Sequence, residues 1–207
     1  MPLIRKSGDL PPPATPDAQH VLQALTSPVS EVRWTAARAA ADLEGADVAL
    51  SAALQAETDL RVREAMLTGL ARIGTPIAVE SLLSMLRSES AALRTGALDA
   101  LQMLPSLGAV TSQLLRDADP DVRILSCELA RSLPAAEASG LLCEMLAGEQ
   151  SANVCASAID VLAEVAGPEA LAALAECARR FPDTPFLLFA IRAVSDRINV
   201  MSASTRD

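Results

Sequence analysis

Apolar residues recur along the chain with the spacing of an α-helix, and the same pattern returns at regular intervals. In the stretch that begins at Ser30, residues Val32, Ala36, Ala40 and Leu43 fall on one face of a helical wheel. Three later stretches carry equivalent sets: Val62, Met66, Leu70 and Ile73; Leu93, Ala97, Leu101 and Leu104; and Val122, Ser126, Ala130 and Leu133. We predict that this face of each helix belongs to the hydrophobic core.

An arginine follows the first residue of each set, so the length of the repeat can be read from the distance between successive arginines. The pairs Val32-Arg33, Val62-Arg63, Leu93-Arg94 and Val122-Arg123 are separated by steps of 30, 31 and 29 residues. A fifth copy begins at Val154, 32 residues further on, with Cys155 in place of the arginine. Self-similarity at this period is typical of a solenoid of helix pairs. We therefore predict an all-α fold, an α-α superhelix of about six helical hairpins.

Proline, glycine and capping residues divide the chain into repeats, each with a first helix and a second helix. First helices are predicted over residues 17–25, 46–56, 76–87, 106–116, 135–147 and 168–180. Second helices are predicted over residues 30–43, 59–73, 90–104, 120–133, 151–165 and 184–200. Residues 17–200 would form a single domain. Four prolines within residues 11–16 predict an extended N-terminal arm over residues 1–16, and residues 201–207 are predicted to be a disordered tail.

The repeated arginines are Arg33, Arg63, Arg94 and Arg123, and each lies about 100° around the wheel from the leading apolar residue. The preceding turns hold acids, namely Glu31, Asp59, Glu89, Asp119 and Asp121. An arginine placed there can bridge an acid and the loose carbonyls of a neighbouring turn. We interpret the four arginines as a structural ladder at the seam between repeats, with ligand contact as the alternative.

The stretches Asp59-Leu60-Arg61-Val62-Arg63 and Asp119-Pro120-Asp121-Val122-Arg123, each followed by alanine-rich helix, resemble HEAT repeats. The short bacterial kind, also called the phycocyanobilin-lyase-like repeat, is the most similar. The resemblance covers roughly residues 17–200 and implies that the second helices line a concave face. It implies little about activity, because such repeats serve as scaffolds in unrelated processes.

Composition narrows the chemistry that this fold could carry. A net charge of −9 argues against nucleic acid as a partner. His20 is the only histidine, and the cysteines Cys127, Cys143, Cys155 and Cys177 form no Cys-x-x-Cys pair, so we expect no metal site, no cofactor and no catalytic residue. Cys155 is the thiol expected at the surface, since it replaces a seam arginine. A small residue that fills the seam is the alternative to a reactive thiol there.

The outward arcs of the second helices supply the candidate contacts with a partner protein. We predict that Trp34, Arg38 and Arg72 anchor the partner, and that acidic residues further along set its orientation. The complete predicted set is Trp34, Arg38, Arg72, Asp99, Glu128, Arg131 and Asp160. The alternative for Trp34 is a packing role under the N-terminal arm. The phenylalanines Phe181, Phe186 and Phe189 cluster at the last hairpin and suggest a contact surface there, for which a homodimer is one candidate.

These observations favour a cytoplasmic, non-catalytic scaffold or adaptor that holds another protein. No apolar stretch has the length of a signal peptide or a membrane span, so we expect no membrane association. By analogy with other bacterial proteins of this kind, the partner would belong to a two-component or chemotaxis-type signalling pathway, or would be an enzyme under regulation. The alternative is a bilin lyase-like enzyme that acts on a chromophore-bearing partner protein.

Overall fold

The computed structural model describes residues 17–204, so the predicted N-terminal arm lies outside the described residues. Twelve α-helices and one 3-10 turn, with no strand, make up the secondary structure of residues 17–204. The first helices are α1 (Ala18–Ala24), α3 (Ala46–Ala56), α5 (Pro76–Met85), α7 (Leu107–Leu114), α9 (Ala135–Gly148) and α11 (Leu171–Arg180), the last preceded by the 3-10 turn Pro168–Ala170. The second helices are α2 (Ser30–Ala40), α4 (Leu60–Ile73), α6 (Ala91–Gln102), α8 (Pro120–Arg131), α10 (Ala152–Val165) and α12 (Pro185–Ser204). The predicted all-α solenoid of six hairpins is confirmed.

Several helices begin where the sequence supplies a capping side chain. Thr75 and Ser151 accept hydrogen bonds from the backbone N–H three residues on, and Asp119 accepts one from Asp121. Gly74, immediately after α4, has a φ of +61°, a left-handed conformation that favours glycine at the end of a helix. These local signals explain why the predicted boundaries agree with the observed ones to within a few residues.

Three second helices end two or three residues earlier than predicted, and one ends later. After α2, α6 and α8 the backbone makes bonds between residues three apart, such as Leu43 N–H to the Ala40 carbonyl at 2.9 Å. These tighter turns close the helix ends before the last apolar residue of the pattern. In contrast, α12 continues to Ser204, four residues into the segment predicted to be a disordered tail.

The chain divides into two compact units, Met1–Gly69 and Leu70–Asp207, where the sequence predicts a single domain. In unit 1, α2 packs on α1 and on α3. In unit 2, the second helices form a row in which α8 packs on α6 and α10, and α10 on α12, while α11 packs on α9.

The predicted core face is buried in most repeats, with one exception at the beginning. Val62, Ala97 and Val122 are at most 1% exposed, but Val32 is 43% exposed. The prediction for Val32 is wrong because α2 is the first second helix among the described residues. No preceding second helix of residues 17–204 is available to cover its first turn.

Candidate binding surface

The four repeated arginines share one contact with the backbone. Each guanidinium donates a hydrogen bond to the backbone carbonyl six residues earlier, in the loop that joins the first and second helices of its own repeat. The bonds run from Arg33 to Ser27 (2.8 Å), Arg63 to Glu57 (2.6 Å), Arg94 to Ser88 (2.7 Å) and Arg123 to Asp117 (2.7 Å). Carbonyls at helix ends have no partner within the helix. The arginine supplies that partner and fixes the angle between the two helices of a repeat.

Two of these arginines also join one repeat to the next through a buried carboxylate. Arg33 Nε and Nη2 lie 2.5 and 2.9 Å from the two oxygens of Glu57, which ends the following first helix. Arg123 makes the same fork to Glu149, at 2.7 and 3.0 Å. Only 2% of the Glu57 side chain and 5% of the Glu149 side chain are exposed. Bidentate pairs of this geometry are strong and specific in orientation.

The same carboxylates also accept the backbone N–H groups of the residues just before the next second helix. Glu57 Oε1 accepts the backbone N–H groups of Thr58 and Asp59, both at 2.8 Å. Glu149 Oε1 accepts those of Gln150 and Ser151, at 2.9 and 2.7 Å. Each glutamate therefore binds an arginine of the preceding repeat and two backbone donors of its own loop. The acids predicted to bind these arginines are those of the preceding turn, and neither Glu57 nor Glu149 is among them.

The pKa values of both glutamates follow from these contacts. Hydrogen bonds from Arg33 and from the backbone of Asp59 and Thr58 outweigh burial and lower the pKa of Glu57 from 4.5 to about 2. For Glu149 burial is the largest single influence and opposes ionisation, but the hydrogen bond and charge of Arg123, together with the backbone N–H groups of Ser151 and Gln150, outweigh it and lower the pKa as well. Both side chains are therefore ionised at neutral pH.

The fifth repeat replaces the arginine by Cys155, and the structure corrects the prediction of a surface thiol. Cys155 is 0% exposed, with its Sγ 4.0 Å from the Glu149 carbonyl. The helix-end carbonyls here receive their donors from later helices. Arg180 donates to the carbonyls of Leu146 and Ala147, and Arg197 to those of Leu162 and Ala166. A cysteine can occupy the arginine position in this repeat because Arg180 and Arg197, from later helices, bind the helix-end carbonyls.

Open clefts lie beside both buried ion pairs. The cleft of unit 1 has a volume of about 550 Å³ and is lined by Arg33, Glu57 and small residues of α3. The cleft of unit 2 is about 400 Å³ and is lined by Arg116, Arg123, Glu144 and Glu149, among others. Arg33 and Arg123 already bind carboxylates, and Arg116 pairs with Glu144 at 2.7 Å. These clefts therefore offer no unpaired charge to a ligand.

Trp34 lies on α2, in unit 1. Its side chain is half-buried, and two arginine side chains lie against its ring. The guanidinium carbons of Arg38 and Arg61 lie 4.7 and 4.6 Å from the ring centre. Arg61 also donates to Glu31 at 3.3 Å. The sequence predicts Trp34 and Arg38 at one site, but Arg61 is not in the predicted set. Arg61 could have been found because it has the opposite charge to Glu31, which lies at the equivalent position 30 residues earlier.

Glu128 and Asp160, two of the three acidic residues predicted to orient a partner, lie in unit 2 around a single arginine. Arg131 pairs with Asp160 at 2.9 Å, with Glu128 at 3.2 Å, and also with Glu164. Three carboxylates and one guanidinium leave a net charge of −2 at this cluster. Arg131 therefore acts as a counterion within the chain. Asp99, on α6, and Arg72, at the end of α4, are exposed residues of the same unit.

The described residues contain no group of three or more His, Cys, Asp or Glu side chains arranged to hold a metal ion. Within residues 17–204, no helix combines the length and the apolar character needed to cross a membrane. Three of the four thiols, those of Cys127, Cys155 and Cys177, are fully buried, and Cys143 is half-buried.

Comparison with known proteins gives one family and several structures. The family described as HEAT repeats matches residues 107–194, from the first residue of α7 into α12. No curated protein matches the chain. An engineered protein solved by the Northeast Structural Genomics Consortium is 20% identical, with 89% of this chain and 97% of that chain covered and a TM-score of 0.42. The complex of CpcE and CpcF of phycocyanin lyase from Nostoc sp. PCC7120 is 18% identical, with 95% and 100% covered and a TM-score of 0.40.

Proposed function

We propose that this HEAT-repeat protein, with its family match over residues 107–194, is a non-catalytic scaffold that binds a partner protein through its second helices. Repeat arrays present extended surfaces of this kind, and HEAT repeats generally mediate protein interactions. The observation that carries the proposal is the cluster of Trp34, Arg38 and Arg61 in unit 1. Its partner would be a protein segment that places an acidic or carbonyl group beside an apolar side chain.

The Trp34 cluster combines the residue types that dominate binding energy at protein interfaces. Tryptophan and arginine are enriched among the side chains whose removal costs the most affinity. Arg38 is exposed and makes no hydrogen bond or ion pair within residues 17–204, so its N–H donors remain available beside the ring. Stacking on Trp34 restricts the guanidinium before a partner arrives. That restriction lowers the entropy cost of forming new hydrogen bonds.

The cluster around Arg131 supports a second contact of the opposite sign. It carries a net charge of −2 from three carboxylates and one guanidinium, and the Asp160 and Glu164 side chains are 71% and 55% exposed. Complementary charge of this kind directs orientation and association rate more than affinity. Unit 1 and unit 2 would thus recognise differently charged segments of the partner.

The state of the cysteines supports a non-catalytic role. Burial raises the pKa of the Cys127 thiol to about 12. A hydrogen bond with Cys177, together with burial, raises the pKa of Cys155. A thiol needs its ionised form to act as a nucleophile. These two side chains therefore stay protonated and shielded from solvent at neutral pH.

Affinity capture of partners from the native cell tests the proposal. Wild type should capture a protein that Trp34→Ala captures at least about thirtyfold more weakly, the effect of losing about 2 kcal/mol at a buried anchor. Arg38→Ala should weaken capture to a smaller extent. Val48→Ala is the control, because it truncates an apolar residue of unit 1 that is 57% exposed on α3 and is not part of the Trp34 cluster. Equal capture by wild type and a folded Trp34→Ala variant would contradict the proposal.

The absorbance of purified protein with added bilin separates the scaffold from a lyase-like enzyme. A scaffold leaves the bilin spectrum unchanged and transfers no chromophore to the captured partner. Transfer of bilin to a cysteine of that partner would overturn the non-catalytic assignment while leaving the binding surface in place.

A further inference from the structure

The last second helix, α12, has an apolar stripe on the side that faces away from its own unit. Leu187, Ile191, Val194 and Ile198 are at most 6% exposed and pack into the core of unit 2. The opposite face carries Phe186 (53% exposed), Phe189 (74%) and Val200 (66%), with Ala193, Asp196 and Ala203 also exposed between and beyond them. On this outer face two phenylalanine rings and a valine are therefore more than half exposed.

The spacing of the stripe identifies the shape of what it would contact. Residues 186, 189, 193, 196, 200 and 203 follow one another at alternating steps of three and four. That alternation is the seam of a coiled coil, in which the side chains of one helix fit between those of another. A stripe of eighteen residues is about 27 Å long. The surface is therefore matched to a second helix of similar length.

Self-complementarity identifies the second helix. If two copies of α12 lie antiparallel about a two-fold axis, large residues meet small ones along the seam. Phe186 then lies opposite Ala203, Phe189 opposite Val200, and Ala193 opposite Asp196 of the other copy. An isologous contact of this kind uses the same patch on both subunits.

Charge favours the antiparallel direction. Arg192 and Asp196 are exposed, and neither makes a hydrogen bond or an ion pair within the described part of the chain. In the antiparallel arrangement Arg192 of each copy lies beside Asp196 of the other, which gives two ion pairs. A parallel arrangement would place Asp196 against Asp196, which is unfavourable.

We propose that the protein forms a homodimer in which α12 pairs with α12 of a second copy, antiparallel and about a two-fold axis, through Phe186, Phe189, Ala193 and Val200. The dimer uses none of the residues proposed above to bind the partner. It does not depend on that partner. Loss of one interaction is therefore distinguishable from loss of the other.

Sedimentation equilibrium of the full chain tests the dimer. Wild type should sediment as a dimer at micromolar concentration, and Phe189→Asp as a monomer with unchanged helical circular dichroism. Val48→Asp, a charge at a comparably exposed valine of α3, should remain a dimer. A wild type that stays monomeric at all concentrations, or a Val48→Asp variant that dissociates as Phe189→Asp does, overturns the proposal.

Charge exchange tests the antiparallel direction. Arg192→Glu and Asp196→Arg should each raise the dissociation constant about tenfold or more, because each variant places like charges together at both pairs. An equimolar mixture of the two variants should form a heterodimer with near wild-type affinity. In that heterodimer, position 192 of each chain faces an opposite charge at position 196 of the other. A mixture that stays monomeric overturns the antiparallel pair.

Discussion

Replacement of Glu57 by glutamine tests whether the buried seam carboxylates hold the repeats together. Glu57→Gln keeps the shape of the side chain and an oxygen that can accept the N–H groups of Thr58 and Asp59. It removes the negative charge that Arg33 contacts at 2.5 and 2.9 Å. The arginine then keeps its bond to the Ser27 carbonyl and the one from Nη2 to the remaining oxygen, loses the bond from Nε, and its charge loses a counterion. The substitution thus isolates the electrostatic part of the seam.

The expected cost follows from the pKa of Glu57. A pKa lowered from 4.5 to about 2 corresponds to about 3 kcal/mol of stabilisation of the folded state at neutral pH. Glutamine retains part of the backbone hydrogen bonding, so we expect Glu57→Gln to lower the free energy of unfolding by about 2–3 kcal/mol. Because the folded-state pKa is depressed, this contribution is complete above pH 4.5. It is lost as the pH falls from there through about 2.

The assay is urea unfolding followed by the fluorescence of Trp34, the only tryptophan and a residue of unit 1, as is Glu57. Circular dichroism, which reports helix in both units, is recorded in parallel. The matched control is Glu144→Gln, which removes the same charge from an ion pair whose carboxylate is 65% exposed, and should cost less than about 0.5 kcal/mol. Two results would refute the reasoning: equal costs for the two variants at pH 7, or a Glu57→Gln cost that is unchanged at pH 3.

Three further outcomes are expected. Arg123→Ala should lower the free energy of unfolding by about 3 kcal/mol, because Arg123 binds the buried carboxylate of Glu149. Arg94→Ala should lower it by about 1 kcal/mol, because Arg94 binds only backbone carbonyls. Equal losses of stability in thermal unfolding would contradict this. Cys143 is half-buried and should react with a thiol reagent in the native protein, whereas the three buried cysteines should react only in urea. Mass spectrometry of the labelled peptides measures this. Labelling of Cys155 in the native protein would show that its repeat opens. Purified protein should contain less than about 0.1 zinc or iron per chain by elemental analysis, since residues 17–204 hold no cluster of three ligands, and about one metal per chain would refute this.

The periodic features of the fold could be predicted from the sequence because each depends on neighbours along one helix. The steps between the Val-Arg and Leu-Arg pairs, continued to Val154, locate five of the six second helices, and proline and capping residues locate the first turns of several helices. The arginines could be placed at the seam for the same reason, since a helical wheel gives the direction of a side chain relative to its own core face.

The contacts between repeats could not be predicted in this way. Arg33 and Glu57 are 24 residues apart, and a wheel carries no information about which residue of the next first helix comes opposite. The sequence predicts Cys155 at the surface, because the arginine at the equivalent position of the other repeats needs solvent or an acid beside it. Its neighbour Cys177 and the donors Arg180 and Arg197 come from later helices that no local pattern connects to it. Arg61 was missed because its ring contact with Trp34 joins two second helices.

The loop carbonyl that each repeated arginine binds has a consequence for the order of folding. Arg33 reaches Ser27, which is already synthesised when the arginine appears, so a helix pair can close as soon as its second helix exists. The fork to Glu57 must wait for 24 more residues, and the fork from Arg123 to Glu149 for 26. The second and the fifth repeats therefore each complete the repeat before them. At these two positions a chain under synthesis needs only the next repeat to give the arginine its carboxylate, so the contact forms between segments that are close in sequence.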